Sequence, residues 1–186
     1  NAYVEQKRVR VVCVDDSPSI LTMLKKMLSV DDGFEVVGTA KNGVEAEKVI
    51  ADLKPDVVTL DVHMPEKNGI EYLQQCWSPH HPPVVMVSSV SREDYATTSL
   101  CFKAGASDFV EKPTLANFQK CRDEICSKLK AGVKSKREDV NLSLLREFSK
   151  EFSFSDIYNK EIWIFSSPSS RHRALQVARE LPVPFP

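Results

Sequence analysis

The stretch that decides the fold is Val57-Val-Thr-Leu-Asp61-Val-His-Met-Pro65, followed by Gly69. A run of apolar and β-branched residues ends on one carboxylate, and Pro65 stops it. A continuous run of this kind is the pattern of a strand buried on both faces, as in parallel sheets. In an open α/β sheet, residues just past the carboxyl ends of the strands form the ligand-binding rim. Asp61 therefore stands where a reactive group would be delivered. Taken alone, it could equally be a strand-end acid bonding its own backbone.

Four further segments repeat the pattern on either side. Val9-Arg-Val-Val-Cys-Val14 reads as a buried strand ending in Asp15-Asp16. Ser17-Pro18 follows, an N-cap and then Pro at the first helical position. Ile20, Leu21, Leu24, Met27 and Leu28 supply a helical stripe, with Asp31-Asp-Gly33 expected to end it. Phe34 to Thr39 is a short strand, Asn42-Gly43 a turn, and Val44, Ala46, Val49, Ile50 and Leu53 mark a second helix. Beyond the Asp61 strand, Gly69 to Cys76 predicts a third helix. Val84 to Val87 predicts a strand and Asp94 to Ala104 a helix stopped by Gly105. Ser107 to Glu111 is a fifth strand, ended by Lys112-Pro113, and Leu115, Phe118, Cys121, Ile125 and Leu129 stripe a last helix.

The alternation is (βα)5, which implies a doubly wound parallel α/β sheet with right-handed crossovers. In a 2-1-3-4-5 strand order, the first and third strands are neighbours, so Asp15, Asp16 and Asp61 share one small volume. Their mutual repulsion calls for a cation, and a hard divalent ion with oxygen ligands fits. Ser88-Ser89 ends the fourth strand and Lys112 the fifth, adding a hydroxyl and an ammonium to the same rim. A metal, a hydroxyl and an ammonium around one carboxylate would stabilise transferred phosphoryl oxygens. The matching chemistry is phosphoryl transfer to Asp61, giving an aspartyl phosphate.

Composition narrows the class. The chain has 186 residues, 42% of them hydrophobic and 27% charged, as in soluble globular proteins. A formal net charge of −1 gives no reason to expect nucleic acid or an anionic membrane as partner. No apolar run approaches the roughly 20 residues of a membrane span. Asn1 to Arg10 is too polar for a signal-peptide core. Five scattered cysteines without a C-x-x-C pair argue against a disulfide framework or zinc site and for a reducing, cytoplasmic location. From Lys128 the apolar pattern thins into Lys, Ser, Arg and Glu, read as a solvated helix end and linker. Asn141 to Phe154 could form an amphipathic helix, and Ile162 to Phe165 a new strand. The expected organisation is a domain over 8–131, a linker over 132–160 and a short segment over 161–186.

Asp15-Asp16, Asp61-x-x-Met64-Pro65-x-x-x-Gly69, Ser88, Gly105-Ala106 and Lys112-Pro113 resemble the receiver domain of two-component response regulators. The resemblance implies a flavodoxin-like fold, with Asp61 phosphorylated by a histidine kinase. It also implies Mg²⁺ held by Asp15, Asp16, Asp61 and the backbone carbonyl of His63. Ser88 and Lys112 would sense the phosphoryl group, and Phe109 would be the switching aromatic, burying on phosphorylation as the face formed by the fourth helix, fifth strand and last helix changes. The Lys112-Pro113 bond would be cis.

Glu35-Val-Val-Gly-Thr-Ala40, Pro83-Val-Val-Met-Val-Ser-Ser89 and Gly105-Ala-Ser-Asp-Phe-Val-Glu-Lys-Pro113 are similar to one subfamily, the chemotaxis protein-glutamate methylesterases (CheB-type). That similarity implies a chemotaxis-type kinase as phosphodonor and chemoreceptors as further partners. Ile162-Trp-Ile-Phe-Ser-Ser167-Pro-Ser-Ser170 falls on the first strand and nucleophile turn of the esterase domain, making Ser167 the candidate nucleophile. Phe165, Ser169 and Ser170 stand where that turn has glycines, which permit strained conformations. No His or Asp after Ser167 is placed to complete a triad, so the expectation is a truncated or degenerate esterase start. An aspartate-nucleophile phosphatase is disfavoured, because Asp61-Val-His63 lacks the D-x-D of that chemistry. A DNA-binding output is disfavoured by the absence of a basic three-helix unit.

Overall fold

The computed structural model describes residues 7–28, 33–90 and 94–151, with side chains as far as Asp139. Five strands alternate with five helices. They are β1 (Val9–Val14), α1 (Pro18–Met27), β2 (Phe34–Ala40), α2 (Gly43–Leu53), β3 (Val57–Leu60), α3 (Gly69–Cys76), β4 (Val84–Ser88), α4 (Tyr95–Ala104), β5 (Asp108–Glu111) and α5 (Phe118–Glu151). All strand pairs are parallel, in the order β2-β1-β3-β4-β5. This is the flavodoxin-like fold expected from the sequence.

Both faces of the sheet are covered, which explains the near-continuous apolar strands. Val12, Val14, Val58, Leu60, Val84, Met86 and Phe109 point to one face, beneath Ala46 and Ile50 of α2, Tyr72 and Leu73 of α3, and Cys101 of α4. Val11, Cys13, Val57, Val85, Val87 and Val110 point to the other, beneath Leu24 and Met27 of α1 and Cys121, Ile125 and Leu129 of α5. Period-two alternation along each strand thus serves two cores at once.

Local chemistry sets the helix starts. The Ser17 side chain caps α1 and Pro18 occupies its first turn. Asn42, expected as a turn residue, caps α2 by accepting from the Glu45 amide. Asn68 and Glu71 form a capping box at α3, and Asp94 caps α4. Gly105 ends α4 in a left-handed conformation at φ 117° that few other residues adopt.

Three expectations are corrected. Helix α1 ends at Met27 with Leu28 as its C-cap, before the Asp31-Asp-Gly33 stop. Asp31 and Asp32 lie outside the described residues. Leu115 does not join the α5 stripe. Thr114 and Asn117 form a local turn, Asn117 Oδ1 accepting from the Thr114 amide at 2.7 Å, so the helix begins at Phe118 and Leu115 is 92% exposed. No peptide bond among the described residues is cis, so the Lys112–Pro113 bond is trans, the form a tertiary amide still prefers. Of the span expected as a linker over 132–160, residues 132–151 are helical, and this includes the described part of the helix expected from Asn141. Residues Asn1–Lys134 form one compact unit and Ser135–Pro186 are grouped as a second, of which the described part is helical. The remainder, including Ile162 to Phe165 and Ser167, lies outside the described residues.

Candidate functional site

The parallel ladders continue one residue past the strands, and this brings the rim together. The Asp15 amide donates to the Ala40 carbonyl, the Asp61 amide to Val14, and the Lys112 amide to Ser88. Backbone pairing alone therefore holds the ends of β1, β3, β4 and β5 side by side. The side chains they carry are Asp15, Asp61, Ser88 and Lys112.

Asp15, Asp16 and Asp61 each present a carboxylate oxygen, all within 4.8 Å of one another. Asp15 and Asp61 are buried, at 1% and 2% exposure, whereas Asp16 is exposed. Lys112 Nζ donates to Asp61 Oδ2 at 2.7 Å and lies 2.9 Å from Asp15 Oδ2 as an ion pair. Asp15 Oδ1 accepts from the Ser17 amide at 2.9 Å, which ties the carboxylate to the helix α1 cap. Asp61 Oδ1 is buried and accepts no hydrogen bond.

Burial raises the Asp15 carboxyl above its ordinary value. The Lys112 ammonium and the Ser17 amide oppose that shift, and the nearby Asp61 charge adds to it. Burial pulls the Lys112 ammonium down, yet hydrogen bonds and charge from Asp61 and Asp15 outweigh it and hold the group above the usual lysine range. Two buried carboxylates facing one ammonium leave net negative charge in a low-dielectric site.

Unpartnered Asp61 Oδ1 and the three-carboxylate donor set suit a hard divalent cation such as Mg²⁺, which takes oxygen ligands and retains waters on its remaining positions. His63 is exposed on the loop between β3 and α3. Ser88 is fully buried, and its Oγ accepts from the Val90 amide at 3.3 Å. Phe109 is 3% exposed within the core face under α4. A phenyl ring needs no polar partner in such a setting. Ser167 lies outside the described residues.

The rim residues read from the sequence come together in space. Sequence reasoning missed the contact of Lys112 with Asp15, because strand-end position does not say which of two acids a lysine reaches. It also missed Lys67 and Glu47, an ion pair from loop to helix, whose sequence separation of 20 residues carries no local signal.

A sequence model of the response regulator receiver domain family matches residues 11–121. The chain is 36% identical over 143 residues to a protein-glutamate methylesterase/protein-glutamine glutaminase of Pyrococcus abyssi, covering 75% of this chain and 39% of the relative. Its counterpart in Geobacillus kaustophilus is 44% identical over 126 residues, covering 66% and 36%. The chain thus spans about two fifths of the length of these curated relatives. Among solved structures, the response regulator domain of Thermotoga maritima CheB aligns with a TM-score of 0.63 at 36% identity, covering 68% of this chain and 97% of that one. The signal receiver domain of NarL from Mycobacterium tuberculosis aligns with a TM-score of 0.58 at 27% identity, covering 67% and 98%. With five parallel strands in the order of that fold and a match over more than half its length, the chain belongs to the response regulator receiver domain family.

Proposed function

We propose that the chain is a chemotaxis-type phosphorylation switch in which Asp61 accepts a phosphoryl group from a histidine kinase. The observation that carries this reading is the unpartnered Asp61 Oδ1, buried beside two further carboxylates and within reach of one ammonium. A carboxylate oxygen of Asp61 attacks phosphorus in line, the bond from phosphorus to the histidine nitrogen breaks, and the imidazole leaves with the electron pair.

Asp15, Asp16, Asp61 and the His63 carbonyl would hold Mg²⁺, which would neutralise the carboxylates and the non-bridging phosphoryl oxygens. Lys112 exchanges part of its ion pairing for a phosphoryl oxygen, and Ser88 donates its hydroxyl proton to another. Because Lys112 and Ser88 sit at the ends of β5 and β4, their movement biases the backbone that carries Phe109 and α4. The output is then a population shift in the face formed by α4, β5 and α5.

The relatives named above support placing this switch upstream of an esterase activity in a cytoplasmic chemotaxis pathway, with chemoreceptors as further partners. On this organisation residues 8–131 are the receiver, 132–160 connect, and 161–186 begin an esterase-like segment with Ser167 as its candidate nucleophile. No helix among the described residues is long and apolar enough to cross a membrane.

Beryllofluoride mimics the phosphoryl group on a carboxylate and provides the test. With Mg²⁺ it is expected to shift the amide resonances of Asp61, Ser88 and Lys112 in the intact chain and to leave Asp61→Asn unchanged. Equal responses from both would overturn the phosphoacceptor assignment.

A further inference from the structure

The loop between β3 and α3 carries His63, whose backbone carbonyl the proposed metal site uses, so the inference below rests on that reading. Its path is fastened repeatedly. The Gly69 amide donates to the Val62 carbonyl at 2.9 Å, closing the loop on itself. The Lys67 amide donates to Pro65 at 2.7 Å, and the Gly43 amide at the start of α2 donates to the Lys67 carbonyl at 2.9 Å. Glu66, between them, has φ 64°, a left-handed conformation costly for a residue with a Cβ. Such a turn persists only when its surroundings hold it.

Lys67 supplies the hold from both ends of the residue. Its methylenes lie over Gly43, where an added Cβ would come within 2.7 Å of Lys67 Cγ and 2.9 Å of Cδ. Its ammonium forms an ion pair with Glu47 Oε1, one turn further along α2. The Cys76 thiol at the end of α3 donates to the same Glu47 oxygen at 3.2 Å. The Lys67 side chain is only 17% exposed, so it runs along the protein surface and not out into solvent. Glu47 thus receives a loop and a helix end together.

An exposed lysine–glutamate pair adds little to global stability, because solvent screens it and two long side chains lose freedom. Its leverage is local. A loop of this length samples several backbone paths unless it is pinned, and pre-organising a ligand's backbone raises affinity by removing that ordering cost from the binding step. We propose that Lys67 is a positioning residue for the divalent-cation site: it straps the β3–α3 loop to α2 and so restricts the backbone conformations open to His63.

The test uses the full chain as wild type, Lys67→Met, Lys67→Arg and Asp61→Asn. Lys67→Met keeps the methylenes over Gly43 and removes the charge; Lys67→Arg restores it. Mg²⁺ affinity is read from amide NMR titration, and loop closure from hydrogen exchange of the Gly43 amide in chelator. Lys67→Met is expected to weaken Mg²⁺ roughly three- to ten-fold and to speed Gly43 exchange, with the urea midpoint unmoved. Lys67→Arg is expected to recover most of both. Unchanged Mg²⁺ affinity in Lys67→Met, or no recovery in Lys67→Arg, overturns the proposal while leaving the metal site standing. A wild type that responds to Mg²⁺ no differently from Asp61→Asn overturns the metal reading itself, and with it the role of Lys67.

Discussion

At the scale of single residues, the two oxygens of Asp61 have different lives. Oδ2 is engaged by Lys112 and Oδ1 is left without a donor. That asymmetry leaves Oδ1 as the Asp61 oxygen open to a cation or an electrophile. Asp15 shows the cost of assembling the site. Burial raises its carboxyl, so its charged form is disfavoured on folding. A raised folded value means stability is fully present below the ordinary carboxylate range and is lost as pH rises through the folded value. Asp15→Asn removes that loss while keeping an oxygen for the Ser17 amide. In chelator, urea denaturation is expected to show the variant more stable than wild type at pH 7 and level with it at pH 3. Gly69 is constrained by shape, not charge. A Cβ there would collide with the Asp61 carbonyl oxygen, which is backbone and cannot swing away. Gly69→Ala is expected to lower stability by about 1–3 kcal/mol in urea denaturation.

At the scale of elements, the strands were the most legible part of the sequence and the helix ends the least. Strands β3 and β4 are buried throughout and leave runs of apolar and β-branched residues, and each of the five strands expected from the sequence fell on an observed one. The start of α5 was misread because Leu115 matched the helical spacing. Spacing cannot report that Asn117 Oδ1 takes the Thr114 amide first and delays the helix. Its far end runs on through a charged stretch to Glu151, since Lys, Arg and Glu are good helix formers. The trans Lys112–Pro113 bond was likewise beyond the sequence, since trans and cis differ by only about 0.5–1 kcal/mol at such a bond. Helix α3 was read with its bounds but without its cap. The Asn68 side chain accepts from the Glu71 amide and Glu71 returns the bond, both at 2.9 Å. Asn68→Ala is expected to cost about 1 kcal/mol in thermal or urea unfolding. The helix begins one residue after the β3–α3 loop, so the same variant is expected to weaken Mg²⁺ binding modestly.

At the scale of the molecule, the sheet order does the chemical work. With β1 flanked by β2 and β3, residues 46 positions apart meet as Asp15 and Asp61, and β5 brings Lys112 across from the far side. This convergence was legible because the strand-end residues were in view and the resemblance to receiver domains implied the 2-1-3-4-5 order. The Lys67–Glu47–Cys76 cluster was not legible, because it joins a loop to two helices by side chains whose directions no periodicity encodes. The proposed switch turns on Asp61 accepting phosphorus. Intact mass spectrometry after incubation with acetyl phosphate and Mg²⁺, with peptide mapping under mild acid, measures that directly. One phosphoryl group per chain is expected, mapped to Asp61, not formed when Mg²⁺ is chelated beforehand and absent from Asp61→Asn. A phosphoryl group that maps elsewhere, or that survives in Asp61→Asn, would contradict it.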